Sequence, residues 1–284
     1  MATNILQELA QAARIRVADQ KAACPAEEMH ERALKAPRHG VATLGVAATA
    51  GEQAQGSPAD ARPFETNLKA PGMSFICECK KASPSKGLIA PDFPYVQIAR
   101  EYEETGAAAI SVLTEPTRFL GSDDYLQQIS AAVSTPTLRK DFVVDAYMID
   151  QARVLGASAV LLICSILDAE TLEAYIQYAD EVGLSALVEA HSADEVRMAV
   201  SAGAKIIGVN NRNLADFTID FQNSIRLREL VPPEIAFVTE SGIKTADDIA
   251  LLSAHGVDAV LIGETLMRAP NKRAMLDELR GGLK

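Results

Sequence analysis

The sequence has no long hydrophobic segment. No run of eighteen apolar residues occurs, and the first sixteen residues interleave Gln, Glu and Arg with apolar positions. A membrane-spanning helix needs about 20 consecutive apolar residues, and a secretory signal needs a continuous apolar stretch before its cleavage site. We therefore expect neither a membrane span nor a secretory signal.

Cysteine is also scarce, with four residues in 284. Four scattered cysteines are too few for a disulfide framework, and the spacing of Cys77 and Cys79 does not fit a zinc knuckle. Four histidines are present as well: His30, His39, His191 and His255. They are far apart and lack metal-ligand spacing, so each is interpreted as a surface or capping residue. The sequence thus predicts a cytoplasmic protein without a bound metal.

Positive charge is in deficit. Lys and Arg number 27 against 38 acidic residues, which gives a formal net charge of -11. Such a charge repels nucleic acid and anionic lipid, so neither is an expected partner. A small anionic substrate would need local cations and helix N-termini that reverse the sign of the potential inside a cleft.

The character of the chain changes near residue 73. Residues 1–73 predict an N-terminal extension, in which residues 1–36 form two helices because Ile5, Leu9, Ala13 and Val17 recur at helical spacing and Pro25 opens a second segment. Residues 37–63 are rich in Ala, Gly and Pro without a sustained period, which predicts a loop-like insertion. A lid or partner-binding segment is the alternative for this insertion.

Residues 74–284 alternate short apolar runs with amphipathic segments, most of which end in glycine. The apolar runs are residues 74–79, 108–114, 135–140, 158–164, 185–189, 205–210, 235–240 and 258–263. Eight strand–helix units predict a closed (β/α)8 TIM barrel as the catalytic domain. An open, doubly wound sheet is the alternative, but no Gly-x-Gly-x-x-Gly follows the first run, and polar residues recur after nearly every strand.

Polar residues at the ends of these strands are the first candidates for an active site. Side chains alternate along a strand, so residues in phase with the interior converge at the carboxyl end of a barrel, where barrel enzymes assemble their reactive groups. Five residues from four strands meet this condition: Glu78, Lys80, Lys140, Glu189 and Asn210. Solvated rim charges are the alternative for any one of them.

Two carboxylates and two ammonium groups in a partly dry pocket can divide acid and base roles. A lysine is a plausible acid because its pKa falls when it is desolvated near other cations. Mutual salt bridges that only neutralise buried charge are the competing interpretation, and both can hold at once.

Two glycine motifs predict a phosphate site. Ser241-Gly242 follows the seventh predicted strand and Gly263-Glu264 follows the eighth, each just before a helix. Glycine lets backbone N–H groups approach an anion, and the loops after strands seven and eight are the usual phosphate site of such barrels. Ordinary turns and helix capping are the alternative, and Glu264 would offer its backbone because its carboxylate repels phosphate.

From Phe64 onward the chain resembles the indole-3-glycerol-phosphate synthase family, and the N-terminal helices resemble that family's extra helical region, whereas residues 37–63 do not match. The motifs that carry the resemblance are FICECKKASPSKG (75–87), ISVLTEPTRFLGS (110–122), LRKDF (138–142), LVEAH (187–191), GVNNRNL (208–214), TESGI (239–243) and LIGETLM (261–267). These motifs are long, ordered and correctly spaced, so the match is specific.

The resemblance implies a decarboxylating lyase of tryptophan biosynthesis. Its substrate would be 1-(2-carboxyphenylamino)-1-deoxyribulose 5-phosphate, its product indole-3-glycerol phosphate, and no cofactor or metal would be needed. By the family pattern Lys140 is the general acid, while Lys80, Glu78 and Glu189 supply acid and base for dehydration in a division that the sequence leaves open. Lys80 would also hold the substrate carboxylate.

The resemblance also implies binding residues. Substrate and phosphate positions match Ser83, Ser241, Gly242, Gly263 and the backbone of Glu264. Candidates for gripping the aromatic ring are Phe119, Phe142 and Leu161, for which plain packing is the alternative. Asn210 and Arg212 would orient the ring and hydroxyls, and Glu240 would orient lysine neighbours. Strand alternation predicts that either Glu240 or Ser241 points away from the mouth.

Three further expectations complete the prediction. The loop of residues 80–87 is either a mobile flap that brings Lys80 over the substrate or a solvated turn, and Pro84 indicates that regular structure stops there. The partner is a small phosphorylated anion, and the oligomeric state is undetermined, with a monomer favoured. Two other functions stay open: an aminophosphoribosyl isomerase on the same scaffold, or a non-catalytic barrel whose insertion binds a protein.

Overall fold

Eight parallel strands close into a barrel in the computed structural model, which describes residues 5–39, 62–213 and 217–281. The strands are β1 (Ser74–Cys79), β2 (Ala109–Leu113), β3 (Thr137–Lys140), β4 (Ala159–Ile163), β5 (Ser185–Ala190), β6 (Ile206–Asn210), β7 (Ala236–Glu240) and β8 (Ala259–Ile262). Each strand pairs with its sequence neighbours, and β8 pairs with β1. The predicted (β/α)8 barrel is confirmed.

Helices precede the barrel and alternate with its strands. They are α1 (Ile5–Ala23), α2 (Ala26–Lys35), α3 (Pro63–Leu68), α4 (Tyr95–Glu104), α5 (Asp123–Ala132), α6 (Tyr147–Val154), α7 (Ala169–Glu181), α8 (Ala193–Ser201), α9 (Gln222–Arg228), α10 (Ala246–Ala254), α11 (Glu264–Arg268) and α12 (Lys272–Arg280). A short 3-10 turn, Cys164–Ile166, follows β4.

Local sequence explains where many helices begin and end. Side-chain caps at Ser122, Asp168, Ser192 and Thr245 accept hydrogen bonds from the first turns of α5, α7, α8 and α10. Several helices are followed by a glycine with positive φ, as at Gly106 and Gly183, where residues with a side chain would be strained. These signals position the loops that carry the site.

The barrel interior and the layer beneath the helices are separate cores. Ile76, Leu138 and Leu187 are fully buried inside the barrel, together with small residues from other strands. Cys77 and Cys79, on the opposite face of β1, pack beneath the surrounding helices. Strand alternation therefore assigns the faces as the sequence predicts.

The helices before β1 close the two ends of the barrel. Leu9 and Ala13 of α1 pack with Phe142 at the carboxyl end of the strands. At the opposite end, the α3 residues Phe64 and Leu68 are fully buried, and Asn67 donates a hydrogen bond of 2.9 Å to the carbonyl of Ala108, just before β2. Pro25 is the N-cap of α2, as predicted, and α2 packs against α6.

Two predictions outside the barrel have different outcomes. Regular structure stops at Pro84 as predicted, because the short strand Ala82–Ser83 ends just before it and residues 84–86 form a turn. The antiparallel pairing of Ala82–Ser83 with Gly87–Leu88, which uses the positive φ of Gly87, was not predicted. Most of the predicted insertion, residues 40–61, lies outside the described residues. The division of the chain at residue 73 stays a prediction.

Candidate active site

One ionisable side chain from each odd-numbered strand points into the barrel mouth. They are Glu78, Lys140, Glu189 and Glu240, from β1, β3, β5 and β7. Layers built from alternate strands are typical of these barrels. A glycine on β6 makes room for this layer, because a Cβ on Gly208 would lie 2.5 Å from Oε1 of Glu240.

Lys140 is the centre of this layer. Its Nζ lies 2.9 Å from Oε2 of Glu240 and 3.3 Å from Oε2 of Glu189. Burial by itself lowers the pKa of Lys140, but the charges of Glu240, Glu189 and Glu78 outweigh burial and raise the pKa above its usual value. The expectation that desolvation near other cations depresses this pKa is wrong, since the nearest charged neighbours are carboxylates.

The two carboxylates beside Lys140 differ in their affinity for protons. Burial, together with the charges of Glu189 and Glu78, raises the pKa of Glu240 to about 7 despite the opposing charge of Lys140. Burial also acts to raise the pKa of Glu189, but Lys140 and His191 outweigh it and leave that pKa below its usual value. At neutral pH the layer thus holds a firmly ionised carboxylate and one poised to gain or lose a proton.

A second ion pair joins Glu78 of β1 to Lys80, which follows the strand. Lys80 donates to Oε1 of Glu78, and both side chains are largely buried, with exposed fractions of 16% and 3%. Gly263 is pressed against this pair, because a Cβ there would lie 2.6 Å from Nζ of Lys80. Each ion-paired group therefore needs a nearby glycine: Gly208 of β6 makes room for Glu240, and Gly263, which follows β8, makes room for Lys80.

The three carboxylates, the two lysines and Gly263 line one cavity of about 400 Å³. Phe119, Phe142 and Leu161 form an apolar wall, and the rings of the two phenylalanines have centroids 6.3 Å apart. Leu6 and Leu9 of α1 complete the wall. Cavities of this size suit a small ligand, and apolar walls strengthen the electrostatic interactions they enclose.

The predicted phosphate-binding residues line the same cavity. Ser241 and Gly242 have φ values of 67° and 90°. In the described residues the N–H groups of Gly242 and Ile243 donate no hydrogen bond to the chain, so they are free to bind an anion. The carboxylate of Glu264 is paired with Arg268, at 3.1 Å, and with Lys86, at 3.6 Å, which offset its negative charge at the cavity.

Strand alternation predicted that Glu240 or Ser241 would point away from the mouth, and this is wrong. Both residues line the cavity. The strand ends at Glu240, and the left-handed backbone of Ser241 interrupts the alternation. Alternation applies only while the backbone is extended.

The remaining predicted residues lie at the rim. Ser83 is buried in the short hairpin after β1 and lines the cavity. Nη1 of Arg212 donates to Oγ of Ser85 at 3.2 Å, which ties the hairpin loop to the loop after β6. The N–H of Arg212 donates to Oδ1 of Asn210 at 3.0 Å. All the residues predicted for the site therefore come together at one mouth.

Three residues near the site were not predicted from the sequence to belong to it: Asn211, Leu6 and His191. Asn211 is 3% exposed; its Nδ2 donates to the carbonyl of Ser241 at 3.2 Å, and its Oδ1 accepts from the N–H of Ser224. Leu6 was not predicted to line a cavity. His191 was interpreted as a surface or capping residue, but its side chain is 19% exposed and faces Glu189. The glycine inside the β6 run was the available signal for a close approach.

Within residues 5–39, 62–213 and 217–281, no group of three or more His, Cys, Asp or Glu side chains is arranged to hold a metal ion. A search of the same residues for a helix long and apolar enough to cross a membrane gives none.

Solved structures with the same architecture share little sequence with this chain. The 3-hexulose-6-phosphate synthase from Salmonella typhimurium superposes with a TM-score of 0.61 at 15% identity, over 74% of this chain and 98% of that one. Such a likeness shows the fold alone. Together, the barrel and the buried lysine–carboxylate layer at its mouth define an acid–base barrel enzyme.

Sequence comparison identifies the family. A family model described as indole-3-glycerol phosphate synthase matches residues 30–279, and the chain belongs to this family. The chain is 59% identical over 218 residues to the indole-3-glycerol phosphate synthase of Ruminiclostridium cellulolyticum, which covers 77% of this chain and 84% of that protein. It is 57% identical over 217 residues to that of Lachnoclostridium phytofermentans, with 76% and 80% covered. The family is one of decarboxylating lyases of tryptophan biosynthesis that act on a phosphorylated substrate.

Proposed function

We propose that Lys140 is the general acid with which this chain closes the indole ring. The reaction converts 1-(2-carboxyphenylamino)-1-deoxyribulose 5-phosphate into indole-3-glycerol phosphate with loss of carbon dioxide and water. One observation carries the proposal: Nζ of Lys140 is held in the protonated form by carboxylates at the bottom of a substrate-sized cavity. A buried ammonium in that position can donate a proton to an oxygen that leaves or gains electron density.

Ring closure requires the C2 carbon of the ribulosyl chain to become electron-poor, and protonation of its oxygen achieves this. Lys140 donates a proton to that oxygen, which promotes attack by the aromatic carbon that carries the carboxyl group. The walls of Phe119, Phe142 and Leu161 hold the ring, and Lys80 binds its carboxylate until carbon dioxide leaves. Their placement around one cavity supports these roles.

Dehydration then requires one acid and one base. The candidates are Lys80, Glu78 and Glu189, and their arrangement supports two divisions of labour. Lys80 and Glu78 form one pair at the end of β1, and Lys140 with Glu189 forms another between β3 and β5. Glu240 holds Lys140 in place through its contact of 2.9 Å.

The substrate's phosphate is assigned to the loops after β7 and β8 and to the hairpin after β1. The assigned groups are Ser83, Ser241, the N–H of Gly242, Gly263 and the backbone of Glu264. Asn210 and Arg212, at the end of β6 and in the loop that follows it, orient the ring and hydroxyls. The free N–H groups of the β7 loop support this assignment because they can donate to a dianion without breaking other hydrogen bonds.

We propose that the chain acts in the cytoplasm as a monomer, without a cofactor, metal or nucleic acid partner. Free cysteines at Cys24, Cys77, Cys79 and Cys164 and the net charge of -11 support this setting. Light scattering coupled to size exclusion tests the monomer; a mass twice that of the 30.3 kDa chain would contradict it.

The fluorescence of indole-3-glycerol phosphate tests the function directly. The wild-type chain should form this product, and Lys140→Ala should lose at least about 100-fold in kcat because the general acid is gone. Lys205→Ala is the matched control, since Lys205 forms an exposed ion pair with Asp180 at 3.3 Å and should leave kcat unchanged. Near-normal turnover by folded Lys140→Ala would refute the assignment of Lys140.

A further inference from the structure

His191 lies between the active site and the outside of the barrel. It follows β5, whose Glu189 points into the mouth. Its Nε2 lies 3.4 Å from Oε1 of Glu189, and its Nδ1 lies 3.4 Å from Oε2 of Glu195 on α8. The imidazole thus bridges a carboxylate of the catalytic layer and a carboxylate outside it.

The neighbours of His191 fix its position. Its backbone N–H donates to Oε2 of Glu195 at 2.6 Å, and Nδ2 of Asn223 donates to its carbonyl at 3.1 Å. Oε1 of Glu195 accepts from Oγ of Ser165 at 2.7 Å, and this Oγ lies 3.4 Å from Nδ1 of His191. The ring is therefore held with Nε2 toward Glu189.

Exposure increases along this line of groups. The Glu189 side chain is 3% exposed, His191 is 19% exposed and Glu195 is 22% exposed. Nε2 of His191 is buried and makes no hydrogen bond with the described residues. His191 also lines a second cavity of about 470 Å³ together with Ser165 and Asn223, and this cavity shares Asn210 and Arg212 with the active-site cavity.

The two oxygens of Glu189 face different partners. Oε2 contacts Lys140, whereas Oε1 faces His191. If Glu189 takes or gives a proton during dehydration, it must return to its starting state before the next turnover. His191, on the Oε1 side, offers a route by which that proton can reach the second cavity.

We propose that His191 passes protons between Glu189 and water in the second cavity, and this proposal rests on the proposed function. The proton on Oε1 of Glu189 moves to Nε2 of the neutral imidazole, which gives a carboxylate and an imidazolium. The proton on Nδ1 then passes to water or to Glu195, and the neutral ring exchanges protons with water to regain its Nδ1–H tautomer before the next turnover. No bond other than N–H and O–H forms or breaks, and His191 acts through Glu189 without contacting substrate.

The charged groups that face His191 adjust its proton affinity. Burial alone lowers the pKa of His191, but Glu195 from α8, Glu189 from β5 and Glu240 from β7 outweigh burial and raise the pKa above its usual value. Imidazole is the side chain whose ordinary pKa is closest to neutral, so a modest rise still permits both protonation states to be used.

The test compares His191→Gln with the wild type in the fluorescence assay across pH 5 to 9. Glutamine preserves a polar side chain toward Glu189 but cannot carry a proton. We expect kcat to fall at least about tenfold with KM little changed, and free imidazole added at tens of millimolar to restore part of kcat. His255→Gln is the matched control, because His255 is exposed and its Nδ1 lies 2.8 Å from the carbonyl of Leu251 in α10, away from the cavity.

Glu195→Gln provides a second test in which the histidine is retained. Removing one carboxylate lowers the proton affinity of His191, so the acidic limb of the kcat profile should move to lower pH. Wild-type kcat in His191→Gln, a loss that imidazole does not relieve, or an unshifted limb in Glu195→Gln would each overturn the relay. Failure of the wild-type chain to form product would instead refute the proposed function.

Discussion

Three carboxylates and two ammonium groups share the barrel mouth, and each modifies the protonation of the others. Lys140 is kept charged by carboxylates from β1, β5 and β7, and these same carboxylates repel one another. Because Glu240 is buried and has two like-charged neighbours, its pKa is raised and it is readily protonated near neutral pH. Chemistry at this site thus depends on a balance that no single residue sets.

The raised pKa of Glu240 predicts a specific pH dependence. Its folded-state pKa of about 7 exceeds the unfolded value, so wild-type stability falls as pH rises between the two values. Gln resembles the protonated form and does not titrate. The free energy of unfolding of Glu240→Gln, relative to wild type, should therefore increase by about 1–3 kcal/mol from pH 5 to pH 8, measured by urea denaturation.

Glu103→Gln is the control for this measurement. Burial acts to raise the pKa of Glu103, but hydrogen bonds from Ser134 and Thr135 lower it below its usual value. Glu103 is therefore ionised in both the folded and the unfolded state over this pH range, and its variant should show no such trend. An equal trend in both variants, or none in Glu240→Gln, would contradict the assigned pKa.

The identity of the ionisable residues could be predicted at the residue scale, but their protonation could not. Alternation along β1 and β3 is a local property, so Glu78 and Lys140 are visible from sequence. Whether Lys140 meets cations or carboxylates depends on β5 and β7, which are distant along the chain. The direction of its pKa shift was therefore predicted wrongly.

A strand glycine is essential to the spacing of the catalytic elements. A Cβ at position 208 would lie 2.5 Å from Oε1 of Glu240 and 3.2 Å from Cδ1 of Leu187. Gly208→Ala should push Glu240 away from Lys140 and reduce kcat roughly 10- to 100-fold, because displacements of about 1 Å have such effects. Steady-state kinetics with a thermal melt separates this loss from unfolding.

Gly281→Ala is the control for the glycine variant. Nothing lies within 4 Å of a Cβ built at position 281, and its φ is -56°. The substitution should leave kcat unchanged and stability the same or slightly higher. Equal kinetics for Gly208→Ala and wild type would show that Glu240 has room to move without consequence.

The predicted insertion should be dispensable for catalysis. Its described flanks contact the amino end of the barrel: Nε2 of His39 lies 2.8 Å from the carbonyl of Val133, and Arg62 donates to the carbonyl of Asp180 at 2.9 Å. Replacing residues 41–60 with a short Gly/Ser linker should change kcat by less than about tenfold, worth roughly 1.4 kcal/mol. A larger loss in the fluorescence assay would make the segment part of the site.

At the scale of elements, strands and caps could be predicted because their signals are local. Ser192 and Thr245 cap helices through atoms three residues away. The hairpin after β1 was missed because two-residue strands leave almost no pattern. The position of Leu6 in the cavity wall was missed for a different reason, since helical spacing predicts burial but not the surface against which a helix packs.

In the whole molecule, the residues that stabilise the fold and the residues that carry the chemistry lie at opposite ends of the barrel. Packing at the amino end of the barrel supports the fold, whereas the loops at the carboxyl end carry the chemistry. Leu68 of α3 is fully buried at the amino end. Leu68→Ala should lower the free energy of unfolding by about 2–5 kcal/mol through a cavity and lost burial.

The same variant should keep its kcat/KM within about twofold when it is assayed well below its melting temperature, because its site is untouched. Urea denaturation and the fluorescence assay measure the two effects. Leu161→Ala, which removes part of the cavity wall, should instead alter KM. Parallel losses of stability and kcat/KM in Leu68→Ala would show that the two ends are coupled.

The closed barrel was predictable at the molecular scale because eight regular units leave few alternatives. The way α1 and α3 cover its two ends was not, since each helix buries residues against strands that lie far along the chain. Ion pairs such as that between Arg16 and Asp141, at 2.7 Å, could not be predicted for the same reason, because their partners are far apart along the chain.

A crystal structure with bound indole-3-glycerol phosphate tests the account most directly. We expect the phosphate within hydrogen-bonding distance of the N–H of Gly242, the indole ring against Phe119 and Phe142, and Nζ of Lys140 facing the ring atoms that close. A product bound outside the cavity of about 400 Å³, or one oriented with its phosphate toward Lys140, would contradict it.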